Sequence, residues 1–198
     1  MRTRSLIRPN HRLAALLILL VLPIFIGSPF CSKEKNPVTP PPPPPSRKTP
    51  TELLETWFPD AYNTKDSVRY DQMLLPEFQF EFLLADAETL RARPDGGGLE
   101  PGQNYWGRTS DLRSTGAMFR SSNVGQITLD IRAQDPTPST DCDACVEVRS
   151  EVTLSVTTDP GAADPLIFLV NSDQVFILRP DPGDSTLWVI FRQFDVER

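Results

Sequence analysis

VEVRSEVTLSV, residues 146–156, decides the fold. Val146, Val148, Val152, Leu154 and Val156 fall on one side of an extended chain, and Glu147, Arg149, Glu151, Thr153 and Ser155 on the other. A period of two with one apolar and one polar side marks a half-buried antiparallel strand. Upstream, Ile127, Leu129 and Ile131 alternate in the same way, with Asp130 on the opposite, water-facing side. Downstream, residues 166–178 and 187–194 are apolar on both sides over most of their length. A strand of that kind must be covered twice. Helices can cover one side; a loop or another copy of the chain must cover the other, and a symmetric homodimer is the common solution. Asn171-Ser172-Asp173 interrupts the first of these strands and predicts a bulge or tight bend.

The region before the strands reads as helical. Thr49-Pro50-Thr51-Glu52 combines a capping threonine, a proline at the first helical position and a glutamate three residues after the cap. Leu53, Leu54, Trp57, Phe58, Ala61 and Tyr62 then repeat at three and four, with Pro59 expected to kink or interrupt the helix. A second short helix is predicted from Asp66 to Leu74, with Val68, Tyr70, Met73 and Leu74 apolar and Pro76 as its stop. Phe78 to Leu84 alternates like a strand. Residues 85–107, with Pro94, Gly96-Gly97-Gly98 and Pro101-Gly102, read as a long irregular flap, and a third helix fits Thr109 to Phe119.

This order, together with local wording, resembles the cone-shaped α+β fold of the nuclear transport factor 2-like proteins, which include the SnoaL-like and ketosteroid-isomerase-like groups. Ala61-Tyr62-Asn63 followed by Tyr70, Leu74 and Phe78-Gln79-Phe80 is similar to their opening segment. Trp106, Asp111-Leu112 and Met118-Phe119 resemble the middle helix, and Trp188-Val189-Ile190 with Asp195 the closing strand. The resemblance covers residues 49–196. It implies N-terminal helices packed on a curved, mainly antiparallel sheet, with the interior used by isomerases, dehydratases, cyclases or simple binding proteins. Active members place Asp, His or Tyr in that interior. The one histidine here is His11, ahead of the domain, so only a base-plus-oxyanion site built from Asp and Tyr stays open. Tyr62, Tyr70 and Tyr105 are the only tyrosines, and Tyr62 and Tyr70 read as core residues with satisfied hydroxyls. No catalytic residue set is assigned. Tyr105 and Trp106 are expected at the hinge of the flap, where they would mark the mouth of a pocket for an apolar ligand.

The N-terminus reads as an address. Arg2, Arg4, Arg8 and Arg12 lead into an apolar run from Leu13 to Gly27, the layout of an export signal. Cys31 follows, then a proline-rich tract with six consecutive prolines, Pro40 to Pro45. A cysteine directly behind the apolar run and ahead of a tether is the arrangement of a bacterial lipoprotein. Cleavage without lipidation and an uncleaved anchor are the alternatives; Leu13 to Cys31 carries no charge, although Pro23 and Pro29 interrupt it. The chain therefore divides into a signal or anchor (1–30), a proline-rich spacer (31–50) and one α+β domain (51–198). All three readings of the N-terminus place the domain outside the cytoplasm, and two of them tie it to the membrane, by a lipid or by the N-terminal anchor, on the periplasmic or surface side of a bacterial envelope.

Beyond residue 30 the chain carries 16 Lys and Arg against 26 Asp and Glu, a balance that disfavours nucleic acid and anionic lipid surfaces. Asp141-Cys142-Asp143-Ala144-Cys145 is the one chemically sharp motif. Flanking acids oppose a reactive thiolate, and neither cysteine nor histidine is left in the domain to complete a zinc site. In an oxidising compartment Cys142 and Cys145 are expected to pair, with free thiols and a redox or metal role as alternatives. No cofactor and no metal is expected. The function that fits is a tethered, non-enzymatic binding or structural module; a cavity enzyme of the isomerase or cyclase type and an assembly subunit binding another envelope protein are the alternatives. Replacing Cys31 by Ala is expected to abolish incorporation of a fatty-acid analogue; label retained by that variant, or absent from the parent, would show that Cys31 is not the acylated residue.

Overall fold

The computed structural model describes residues 47–93, 96–162 and 164–196; Cys31, the apolar run and the proline tract lie outside them. The first helix starts as read, with the Thr49 hydroxyl accepting from the Glu52 N–H at 3.1 Å. The Glu52 carboxylate reaches back to the Lys48 N–H at 3.2 Å, one residue before the cap. Helix α1 (Pro50–Glu52) passes through a π-helical turn (Leu53–Trp57) into α2 (Phe58–Asn63). The turn shifts the hydrogen-bond ladder immediately ahead of Pro59, the residue without an N–H to donate. The helix thus absorbs its proline and is not ended by it. Leu53, Leu54, Phe58 and Ala61 are buried on one stripe.

Asp66 caps α3 (Ser67–Asp71), accepting from the N–H groups of Val68 and Arg69 at 3.1 and 2.9 Å. Tyr70, Met73 and Leu74 are buried as predicted, whereas Val68 projects into solvent. Strand β1 (Leu74–Glu81) begins four residues before the expected start and runs through Pro76. Its pairing with the last strand is irregular between Leu74 and Gln79, so the proline sits where the ladder asks nothing of it. The segment read as an irregular flap is largely ordered. It contains α4 (Leu84–Arg91), a glycine turn at Gly96–Gly98 and strand β2 (Tyr105–Gly107), which pairs with β1. Helix α5 (Arg108–Arg120) follows directly, and Arg108 ties it to Asp71 and to the Leu74 carbonyl.

Strands β3 (Val124–Ala133), β4 (Thr137–Pro138), β5 (Val146–Thr158), β6 (Leu166–Pro180) and β7 (Trp188–Val196) complete the sheet. Its order is β2-β1-β7-β6-β5-β3, antiparallel except where β1 lies parallel to β7, and β4 adds to β5. The expected bend at Asn171-Ser172-Asp173 is not there: β6 pairs with β5 without a break from Leu166 to Leu178. The polar side chains are accommodated in the strand, with the Thr153 hydroxyl donating to Asn171 Oδ1 at 2.9 Å across the pair. On the helix side, Ile127, Leu129, Ile131, Val148, Phe176 and Ile190 join the helices in one core. Edge strand β3 gives two N–H groups to helix side chains, Leu129 to Asn63 Oδ1 at 2.7 Å and Ala133 to Glu55 Oε1 at 2.8 Å, which blunts the open edge.

The opposite face of β6 and β7 is covered by the chain itself over half its length. Cys142 and Cys145 are disulfide-bonded, and the Cys145 side packs on Val175 and Ile177, flanked by Phe191 and Phe194. A loop this short gains at most about 2 kcal/mol from closure, so its larger role is as a lid on an apolar face. The other half of β6 has no such cover. Leu166, Ile167, Phe168, Leu169 and Val170 are each 53–67% exposed, and among the described residues β7 pairs with β6 only from Asp173 onward, so that the edge of β6 before it has no described partner. Among the described residues no helix is long and apolar enough to cross a membrane.

Candidate functional site

Between the helices and the curved sheet lies a cavity of about 230 Å³. Phe58, Phe80, Phe82, Trp106, Leu129 and Leu154 supply its apolar wall. Its polar end is built from three helices. Tyr62 comes from the last turn of α2, Tyr70 from α3, and Asp111 and Thr115, one turn apart, from the inner face of α5. The Tyr70 hydroxyl donates to Asp111 Oδ2 at 2.6 Å. The Tyr62 hydroxyl lies beside those of Tyr70 and Thr115, both of which ease its ionisation. The rings of Tyr62 and Tyr70 meet edge to face at 5.3 Å, and Phe58 stacks on Tyr70 at 5.7 Å.

Burial sets the protonation of this cluster. Asp111 is 6% exposed, and loss of water pushes its carboxyl up to about 6, with the Tyr70 hydrogen bond pulling the other way. Burial, and then the negative charge of Asp111, push the Tyr62 phenol up to about 12 and that of Tyr70 well above the ordinary tyrosine value. Both phenols therefore stay protonated donors at any physiological pH, while Asp111 changes between donor and acceptor near pH 6. A ligand oxygen entering from the aromatic side would meet a hydrogen-bond donor there, one proton richer in acid.

A second polar run leaves the cavity on the sheet side. Gln193 donates to Gln174 at 2.8 Å, and Gln174 donates to Asp195 at 2.8 Å. Asp195 is also raised, by burial first, against its hydrogen bond from Gln174, and with Asp86 nearby adding in the same direction. It lines a groove of about 620 Å³ that adjoins the cavity through Phe80, Phe82, Val170, Ser172 and Gln174. Among the described residues no group of acidic, histidine or cysteine side chains is arranged to hold a metal ion.

Of the residues marked in the sequence, Trp106 does line the cavity, at a fixed position: its indole N–H donates to the Gly97 carbonyl at 2.9 Å. Tyr105 pairs opposite Glu81 in β2 and takes no part in the cavity lining, because adjacent strand residues face opposite ways. Cys142 and Cys145 lie on the outer face of the sheet, away from the cavity. Tyr70 is a core residue whose hydroxyl is satisfied by Asp111, Tyr62 is half-buried and packs against that core, and the two are also the polar end of the cavity. Asp111 is the residue that sequence reasoning passed over as part of a helix pattern; its place on the inner stripe of α5, three residues before Ser114 and four before Thr115, was the available signal.

No protein-family model and no curated protein sequence matches the chain. Solved structures share its architecture. A protein from Kribbella flavida matches with a TM-score of 0.50 at 10% identity, over 70% of this chain and 82% of that one. A nuclear transport factor 2-like superfamily protein from Salmonella enterica matches at 0.47 and 11% identity, over 71% and 82%. A ketosteroid isomerase-like protein from Erwinia carotovora gives 0.45 and 13%, over 72% and 90%. The fold is α+β, helices on a mostly antiparallel curved sheet, the arrangement that the resemblance to the nuclear transport factor 2-like proteins implied.

The sign of the pH effect of Asp111 follows from its raised value. Between about pH 4 and 6 the unfolded chain gives up this proton while the folded chain keeps it, so stability falls as pH rises through that window. The loss is on the order of 3 kcal/mol from Asp111, and Asp195 adds in the same direction. Asp111→Asn, which keeps an acceptor for Tyr70, is expected to flatten the denaturation midpoint between pH 4 and 7 relative to the parent. Parallel pH profiles for the two proteins would contradict it.

Proposed function

We propose that this chain is an exported, membrane-tethered binding module whose cone holds a small apolar ligand by its one oxygen. The observation that carries the reading is the cavity itself: an apolar wall rich in aromatic rings, with a polar pole of Tyr62, Tyr70 and Asp111 on the helix side and Gln174 and Gln193 on the sheet side. Sites of that composition take ligands by apolar burial and orient them by a few convergent polar groups. At about 230 Å³ the cavity suits a compact ring system, with the adjoining groove available to a longer substituent. The export signal, Cys31 and the proline-rich tract supply the address.

A second reading is supported by the same pole. A buried carboxyl near pH 6 beside two phenols is a donor set that stabilises an enolate, so an isomerase-type proton transfer stays open. The two readings separate with one ligand pair. 1-Tetralone, but to a much smaller extent its hydrocarbon tetralin, is expected to change the Trp106 emission, and Trp106→Phe is expected to remove the response. Absence of a saturable change with either compound would sink the binding reading. Exchange of the ketone's α-hydrogens into deuterated water, accelerated by the protein and lost in Asp111→Asn, would assign the enzyme instead.

The uncovered run Leu166–Val170 supports self-association, since five consecutive exposed apolar residues beside a strand edge with no described partner favour a partner strand of the same kind. Sedimentation of the full-length chain at micromolar concentration is expected to show a dimer that Leu169→Lys dissociates. A monomer in the parent would overturn this.

A further inference from the structure

On the other side of Trp106 from the cone lies a separate surface cavity of about 370 Å³, lined by Arg93, Gly97, Gly98, Ser110, Arg113 and Ser114 together with Trp106. Among the described residues that line it there is no carboxylate. That composition is unusual in a domain where acids outnumber bases, and the pairing of the arginines sharpens it. Among the described residues seven arginines meet a carboxylate and Arg91 donates to the Gln103 carbonyl, leaving Arg93, Arg113 and Arg120. Two of those three line this one cavity.

The walls are built to keep it open. Ser110, Arg113 and Ser114 stand on one face of α5, at spacings of three and four. Facing them is the Gly96–Gly98 turn, held by the Trp106 indole on the Gly97 carbonyl. Gly97 and Gly98 have φ of 59° and 73°, a conformation that glycine adopts without strain. A Cβ on Gly98 would stand 3.3 Å from the Arg113 guanidinium, so glycine is also what leaves that guanidinium room beside the turn. The result is a surface cavity with two exposed guanidinium forks, two hydroxyls and an aromatic side.

We infer that this cavity is an anion site for a phosphoryl group carried by a small organic ligand, independent of the cone. Guanidinium groups bind tetrahedral oxyanions through paired hydrogen bonds, and serine hydroxyls can serve the remaining oxygens. The volume exceeds what a bare ion needs, which leaves space for an organic body against Trp106. The phosphoryl group can come from a soluble phosphate ester or from a lipid headgroup, and the experiment has an arm for each.

Calorimetric titration of the full-length chain uses phenyl phosphate and inorganic phosphate, with chloride at matched ionic strength as the reference. Saturable binding is expected for both phosphates and none for chloride. Arg113→Gln is expected to weaken it about tenfold or more, and Arg120→Gln, on the same helix and outside the cavity, to leave it unchanged. Flotation with phosphatidylglycerol against phosphatidylcholine vesicles, read as the difference between the two because the N-terminal anchor binds either, tests the lipid source: a preference for phosphatidylglycerol lost in Arg113→Gln assigns the headgroup, and equal capture of both with phenyl phosphate still bound assigns a soluble ester. Heat with chloride equal to that with phosphate, phosphate binding indifferent to Arg113→Gln, or no binding in any arm would overturn the proposal. The emission response to 1-tetralone is read separately, so the cone and the anion site fail or stand independently.

Discussion

The hydrogen bond from Tyr70 to Asp111 joins α3 to α5 inside an apolar cone, and much of the molecule is arranged around it. A carboxyl group removed from water must be given partners or stay protonated. Here both happen: one phenol donates to it, and burial raises its pKa to about 6. The partner phenol is held in turn by Tyr62 and by the stacked ring of Phe58. Arg108 reinforces the same junction from outside through Asp71 and Leu74. The helices thus meet at a polar knot, and the space between that knot and the sheet is the cavity. A core of the same shape closed by leucines would have stability without a polar pole.

A second constraint is the two-sided apolarity of β6. Its helix-facing side chains, Phe176 and Leu178, complete the main core. Its outward side chains, Val175 and Ile177, are roofed by the loop that the Cys142–Cys145 bond closes. The roof ends before Val170, and the strand beyond it is bare on both faces and has no described partner along one edge. One strand therefore serves three environments in succession: core, disulfide lid and open rim. The rim also borders the groove that adjoins the cavity, so a partner docked there would stand beside the ligand's path.

The strand pattern carried most of the fold. Alternation in 127–131 and 146–156 and double apolarity after 166 located four strands, because period two reports which side faces a core. The helices were legible for the same reason, down to the Thr49 cap. Misreadings came where a local rule met a tertiary contact. Asn171-Ser172-Asp173 did not bend β6 because β5 pairs with it throughout, whereas the interruption expected at Pro59 is there as a π turn immediately ahead of it. Residues 85–107 looked irregular because glycine and proline punctuate short elements as readily as loops. The site was less legible than the fold. Trp106 stood out by its position, but Asp111 is one acid in an acidic chain, and only its burial distinguishes it. The arginine cavity was invisible in sequence, since Arg93 and Arg113 gain meaning from the carboxylates they do not meet.

The central claim is that Asp111 is held away from water by two tyrosines at the end of an aromatic cavity. Carboxyl carbon resonances of aspartate, followed by nuclear magnetic resonance as pH is raised and assigned through Asp111→Asn, test it directly. The account predicts one buried aspartate that titrates with a midpoint near pH 6, with the Tyr70 ring responding in the same range. A midpoint for Asp111 in the ordinary carboxylate range near pH 4, with no Tyr70 response, would contradict it.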